Sequence, residues 1–204
     1  MGNKDVIGPG DVQWMTAAHG VVHEEYHSTN FAKVGGVMEM YQIWVNLPAN
    51  QKLSPPKYQP LLKNSIPIVT LDDNAGSVRD ISGSLNGVDG VAETFSPINV
   101  WDVTIEANKT VELQTIDGYN TIVFCRTGSV KVGNSSVLLK STQMCLLSSD
   151  GDGIKLETLG EGANIMILDG KPLDEPIAAR GPFVMNTEKE LGQANIDYQN
   201  GLMG

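Results

Sequence analysis

Residues 99–147 read NVWDVTIEANKTVELQTIDGYNTIVFCRTGSVKVGNSSVLLKSTQMCLL, and this stretch decides the fold. Short β-prone runs, Asn99–Glu106, Thr110–Gln114, Thr121–Arg126, Ser129–Val132, Ser136–Leu139 and Gln143–Leu147, are separated by turn signals such as Thr127-Gly128 and Val132-Gly133-Asn134. The series continues through Gly153–Thr158 and Ala163–Gly170, beyond the turn Asp150-Gly151-Asp152-Gly153. Strands this short and this evenly spaced predict a β-barrel or jelly roll. The DGDG turn lacks the loop length and ligand spacing of an EF-hand, so it reads as a solvated hairpin turn and not as a calcium loop.

Toward the carboxyl end, Thr187 followed by Glu190 predicts a capping box, with Glu188 and Glu190 near the positive end of the helix dipole. Leu191, Ala194, Ile196 and Tyr198 supply an apolar stripe for docking that helix on a barrel face. Toward the amino end, SLNGVDG within Gly83–Gly90 is a turn or linker and is taken as the boundary between two domains, residues 1–83 and 91–204. Before it, Ile66–Leu71 and Val78–Ile81 read as short strands, and the proline-punctuated stretch Ala49–Pro67 has room for a short helix near Tyr58–Leu62. Val37–Leu47 reads as a strong strand with Met38, Met40 and Trp44 in one register, ended by Pro48. Phe31–Gly36 reads as a loop.

With 22 glycines and 10 prolines spread over 204 residues, the chain is predicted to be all-β with many turns. Fourteen basic against 24 acidic residues give a formal net charge of -10, and no Lys/Arg cluster interleaves with aromatics, so direct nucleic-acid binding is not expected. No run approaches the ~20 apolar residues of a membrane span, and Met1–Asp5 lacks a signal-peptide core, which predicts a soluble, intracellular protein; a monomer in the cytoplasm, with the nucleus as a further location, is the separate expectation. Cys125 and Cys145 fit buried packing in a reducing compartment, and their placement on neighbouring strands leaves a disulfide open.

The candidate site lies in Val6–Tyr26, VIGPGDVQWMTAAHGVVHEEY, where His19 and His23 sit with His27 directly behind. These are the chain's 3 histidines. Two geometries compete for His23-Glu24-Glu25-Tyr26-His27. On a helix, His23 and His27 share a face beside Glu24, the HExxH pattern of zinc proteases. On a strand, His23 and Glu25 point to one face, about 6.6 Å apart along the chain. Gly20, the β-branched pair Val21-Val22 and the following Ser28-Thr29-Asn30 leave no long amphipathic helix, which favours the strand.

Gly10–Ala17 (GDVQWMTA), Val22–Glu25 (VHEE), Tyr41–Pro48 (YQIWVNLP), Pro56–Gln59 (PKYQ) and Gly181–Thr187 (GPFVMNT) resemble the pirin family, a group of two-barrel cupins. The resemblance spans nearly the whole chain. It implies a bicupin whose first barrel binds a mononuclear Fe through three histidines and one glutamate. Two of those ligands fall on His23 and Glu25, leaving Glu24 and His27 as bystanders.

Pirins carry the other two histidines in a His-Pro-His segment upstream of the Gly-Asn that here stands at Gly2-Asn3, so the resemblance implies a chain clipped at both ends. His27 cannot substitute on an extended strand, because its Cα would lie about 13 Å from that of His23. His19 joins only if Ala18-His19-Gly20 turns back, which Gly20 permits. The expected fold is therefore all-β, with an incomplete first cupin barrel, a second barrel and a C-terminal helix. Two functions are implied: a co-regulator that binds a transcription factor of the Rel family, or an iron-dependent dioxygenase acting on the flavonol quercetin.

Overall fold

The computed structural model describes residues 4–135 and 137–203. In chain order the elements are β1 (Val12–Thr16), α1 (Thr29–Val34), β2 (Lys57–Leu61), β3 (Ile68–Leu71), β4 (Gly76–Ser82), β5 (Ser84–Leu85), β6 (Val88–Asp89), β7 (Ile98–Ile105) and β8 (Thr110–Gln114). There follow β9 (Asn120–Thr127), β10 (Ser129–Val132), β11 (Leu138–Lys140), β12 (Gln143–Leu146), β13 (Gly153–Glu157), β14 (Ala163–Gly170), β15 (Ala178–Arg180), β16 (Phe183–Met185) and α2 (Glu188–Gln199). Two compact units form: Met1–Pro60 with Asp174–Gly204, and Leu61–Leu173.

The second unit is a pair of facing sheets. One has the strand order β12-β9-β14-β7-β4-β3 and the other β11-β10-β13-β8. Val78, Trp101, Val103, Val123 and Ile167 from the larger sheet meet Leu113, Val130, Ile154 and Leu156 from the smaller in one core. Strict alternation makes this possible: β8 and β13 expose every second residue and bury the ones between. Burying each large aliphatic stabilises the sandwich by about 1.5–3 kcal/mol.

The strands expected from residue 99 onward are all present, shifted by a residue or two at their ends. Ser136, the expected start of one of them, lies outside the described residues. β3 and β4, read from sequence with the first domain, hydrogen-bond through Gly76–Ser82 to β7 in the larger sheet. Gly83–Gly90 is a turn of the second unit: Ser84 pairs with Asp89 and Leu85 with Val88, while Asn86 (φ 52°) and Gly87 (φ 78°) take the left-handed conformations of a tight hairpin.

The first unit departs further from expectation. Residues 57–61 form a strand on β1, not a helix; Gln59 and Leu61 point inward, and Pro60, which has no N–H to give, points out. Phe31–Val34 belongs to a helical turn, because Ser28 caps it by accepting from the Phe31 N–H at 3.1 Å, and Gly35 at φ 71° ends it. Val37–Leu47 carries no strand. Its alternating residues have the β pattern but find no ladder partner among the described residues, and Val37, Met38, Met40 and Trp44 stand exposed. Helix α2 has the expected cap, Thr187 Oγ1 accepting from the Glu190 N–H at 3.2 Å. Its stripe is narrower than expected: Leu191 is buried, whereas Ile196 and Tyr198 are half-exposed, the latter edge-on to Phe183.

Inside this unit Lys52 is a tie point. The residue is buried, and its Nζ donates to Asn46 Oδ1 at 2.6 Å and to the Val184 carbonyl at 3.3 Å. Glu175 accepts from the Ala49 N–H at 2.7 Å and from Asn186 Nδ2 at 3.3 Å. Residues 46–52 are thereby bound to 175–186, although more than a hundred positions separate them in sequence.

Candidate metal centre

β1 ends at Thr16 and the chain turns at once. Ala18 adopts φ 46°, Gly20 φ 135°, and the Gly20 N–H closes the turn on the Ala17 carbonyl at 2.8 Å. The Met203 side chain lies so close over Gly20 that an added Cβ would collide with its Cγ. After this turn Val21–His27 runs without helix or ladder. The HExxH geometry is therefore absent, and the expected strand is absent too, since the segment has no pairing partner among the described residues.

His23 Nδ1 nevertheless stands 4.0 Å from Glu25 Oε1, with both side chains a little under half exposed. Glu24 points elsewhere and accepts from the Tyr26 hydroxyl at 2.7 Å, a bond that raises the Tyr26 pKa. His27 Nε2 meets Met38 Sδ at 3.2 Å and its ring packs on Phe31, so it is engaged away from His23. His19 is held through its backbone, which donates to Ser54 O at 3.2 Å.

Imidazole and carboxylate suit a borderline divalent ion and would occupy adjacent coordination positions. Two donors fall short of the three that open iron sites use, and no group of three His, Cys, Asp or Glu side chains converges for a metal among the described residues. The residues present therefore fit part of an iron site, not a whole one. The second unit offers no imidazole; its cysteines are free, with Cys125 buried on β9 opposite Gln143 and Cys145 opposite Val123. They stand diagonally across the ladder and not face to face, so the disulfide left open by the sequence is not formed. Burial raises the pKa of both thiols.

The sequence reading overlooked a polar group in the second unit. Asp80 is fully buried on β4; neither carboxylate oxygen reaches full hydrogen-bond geometry, although the Trp101 indole N–H and the Leu85 backbone N–H lie near enough to favour its charged form. A charged residue inside the run Val78–Ser82, in register with Val78, was the available signal. Asp169 on β14 is also buried but accepts from Asn99 Nδ2 at 2.7 Å and Thr121 Oγ1 at 2.9 Å. Beside Asn99 opens a cleft of about 360 Å3, walled by Ser84–Gly87 on one side and Gln114–Ile116 on the other.

Comparison with known proteins agrees with this architecture. The pirin C-terminal cupin domain matches residues 100–204 and the pirin domain residues 1–45. A Pseudomonas aeruginosa protein named "Putative quercetin 2,3-dioxygenase" is 46% identical over 96% of this chain and 67% of its own length. The mouse protein named pirin is 30% identical over the whole of this chain and 68% of its own. The crystal structure of quercetin 2,3-dioxygenase from Acinetobacter baumannii superposes with a TM-score of 0.92 at 42% identity, covering 97% of this chain and 68% of that one. No helix among the described residues is long and apolar enough to cross a membrane. With its cupin sheets, its matching domains at both ends and relatives of this identity, the chain belongs to the pirin family.

Proposed function

We propose that this chain is an iron-binding pirin-type cupin whose own role is to bind a protein partner, a transcription factor, with His23 and Glu25 as metal donors and iron held weakly. The observation that carries this reading is the 4.0 Å approach of the two side chains with no third donor grouped beside them among the described residues. Bound iron supplies redox chemistry and open coordination positions. His23 and Glu25 would supply the imidazole and the carboxylate donor that hold it. Protein binding asks less of the metal than turnover does, and the acidic surface suits a basic partner patch. Action in cytoplasm and nucleus belongs to this proposal.

The second reading, a quercetin 2,3-dioxygenase, is favoured by the names of the relatives at 46% and 42% identity. A paired measurement tests both. Calorimetric titration with ferrous iron is expected to show weak binding that His23→Ala and Glu25→Ala abolish, with quercetin consumption at background. Robust turnover unchanged in both variants would refute the site; turnover lost in both would establish the oxygenase reading instead.

A further inference from the structure

The hairpin β5–β6 lies against the buried Asp80 carboxyl, which no cation pairs with among the described residues. Asp80 sits opposite Trp101, where the β4–β7 register shifts before Ser82. On the β7 side it faces the Trp101 indole, itself fully buried with its N–H unsatisfied. On the hairpin side it faces the Leu85 backbone N–H and the Asp89 carboxylate. Just past the hairpin, a Cβ added to Gly90 would stand 2.7 Å from Asp80 Oδ1. On the β3 side the contact is backbone, the Asp80 N–H donating to Pro67 O at 3.0 Å. Arg79 turns to the other face and pairs with Asp102 at 2.9 Å. The charged group acting on Asp80 is thus a second carboxylate.

We propose that Asp80 makes the Ser84–Asp89 hairpin a proton-controlled flap, closed when Asp80 is neutral and lifted when it is charged, so that protons govern access to the cleft that the hairpin walls. Among the described residues closure rests on few contacts: two ladder pairs, the Ser84 N–H on Asn99 Oδ1 at 3.3 Å, the Gly90 N–H on Gly83 O at 2.9 Å, the Ala92 N–H on Ile81 O at 2.9 Å, and burial of Leu85. A carboxylate in that position must draw water past these contacts, because an unpaired buried charge is far costlier than a short hairpin.

Burial first, then repulsion from Asp89, push the Asp80 carboxyl up to about 6, against a smaller opposite pull from Trp101 and Leu85. A raised acid stabilises the closed form fully below the ordinary value of 3.8 and loses that contribution as pH rises to about 6. The flap therefore closes in acid.

The chain has 3 tryptophans. Trp14→Phe with Trp44→Phe leaves Trp101 as reporter, and acrylamide quenching is followed from about pH 4.5 to about pH 7.5. Quenching is expected to rise through a single transition near pH 6 that is lost in Asp80→Asn. Asp89→Asn should shift it to lower pH, which a purely structural role for Asp80 would not do. A pH-independent signal, or the same transition in Asp80→Asn, overturns the proposal. If the double tryptophan variant does not fold, thermal melts serve: the Tm difference between the chain and Asp80→Asn must widen in favour of Asn as pH rises, and a constant difference overturns it equally.

Discussion

The Nδ1 of His23 and the Oε1 of Glu25 stand 4.0 Å apart in a segment with no regular secondary structure. No helix or ladder among the described residues holds that segment, and the turn at Ala17–Gly20 leads directly into it. Gly20→Ala is therefore expected to weaken metal binding without touching a donor: the new methyl meets Met203 and forces a side chain into φ 135°, which L residues avoid. Calorimetry with ferrous or cobaltous ion checks this. Unchanged affinity would show that the turn does not position His23.

Glu24 is the residue that an HExxH reading would make the general base, yet its carboxylate is held by the Tyr26 hydroxyl at 2.7 Å and no helix brings His27 round to His23. With zinc added, the chain is expected to leave casein intact, and Glu24→Gln is expected to change nothing. Chelator-sensitive cleavage that disappears in Glu24→Gln would reverse this conclusion.

Legibility followed local information. β10 and β14 are legible to the residue, because short β-prone runs bounded by glycines define strands that are paired on both sides in place. Val37–Leu47 has equally strong alternation but forms no strand, since a β pattern records suitability for a sheet and pairing depends on a partner that local sequence does not name. Ser28-Thr29-Asn30 does end the possibility of a long helix through His23–His27, but the same serine caps the short α1 where a loop is expected over Phe31–Gly36, because a side chain that favours turns favours N-caps equally. The proximity of His23 and Glu25 follows from their spacing of two. The engagement of His27 by Met38 does not, because it depends on a return of the chain eleven positions later.

Lys52 is expected to be worth more than its single position suggests. Its ammonium ties Asn46 to Val184, and desolvation lowers its pKa against the opposing pull of Glu175 and Glu190. Lys52→Ala removes both bonds and leaves Asn46 Oδ1 without that donor, a loss of about 1.5–3 kcal/mol by the usual worth of hydrogen bonds to a charged group. Because the lysine pKa is lowered on folding, its burial penalty is relieved as pH rises toward 10.5, so the deficit of the variant should grow in alkali. Urea melts at neutral and alkaline pH measure both. Equal stability of variant and parent would mean the tie is energetically idle.

At the start of α2 the two sides of the cap are separable. Thr187→Ala removes the oxygen that accepts from the Glu190 N–H and is expected to cost about 1 kcal/mol. The Glu190 carboxylate accepts in return from the Thr187 hydroxyl at 2.8 Å and the Asn186 N–H at 3.2 Å, and the Thr187 bond is the largest cause of its lowered pKa. A carboxyl whose pKa is depressed on folding contributes stability above its ordinary value of 4.5 and loses it as pH falls through the folded value. Glu190→Gln should therefore flatten the acid side of the stability curve, and in Thr187→Ala that acid-side slope should shrink as well. Melts from about pH 3 to about pH 7 on the single variants and their double mutant decide it, because the two effects must be less than additive if the side chains act through each other. Full additivity would show that Glu190 is stabilised by the helix terminus alone and that the reciprocal cap contributes nothing.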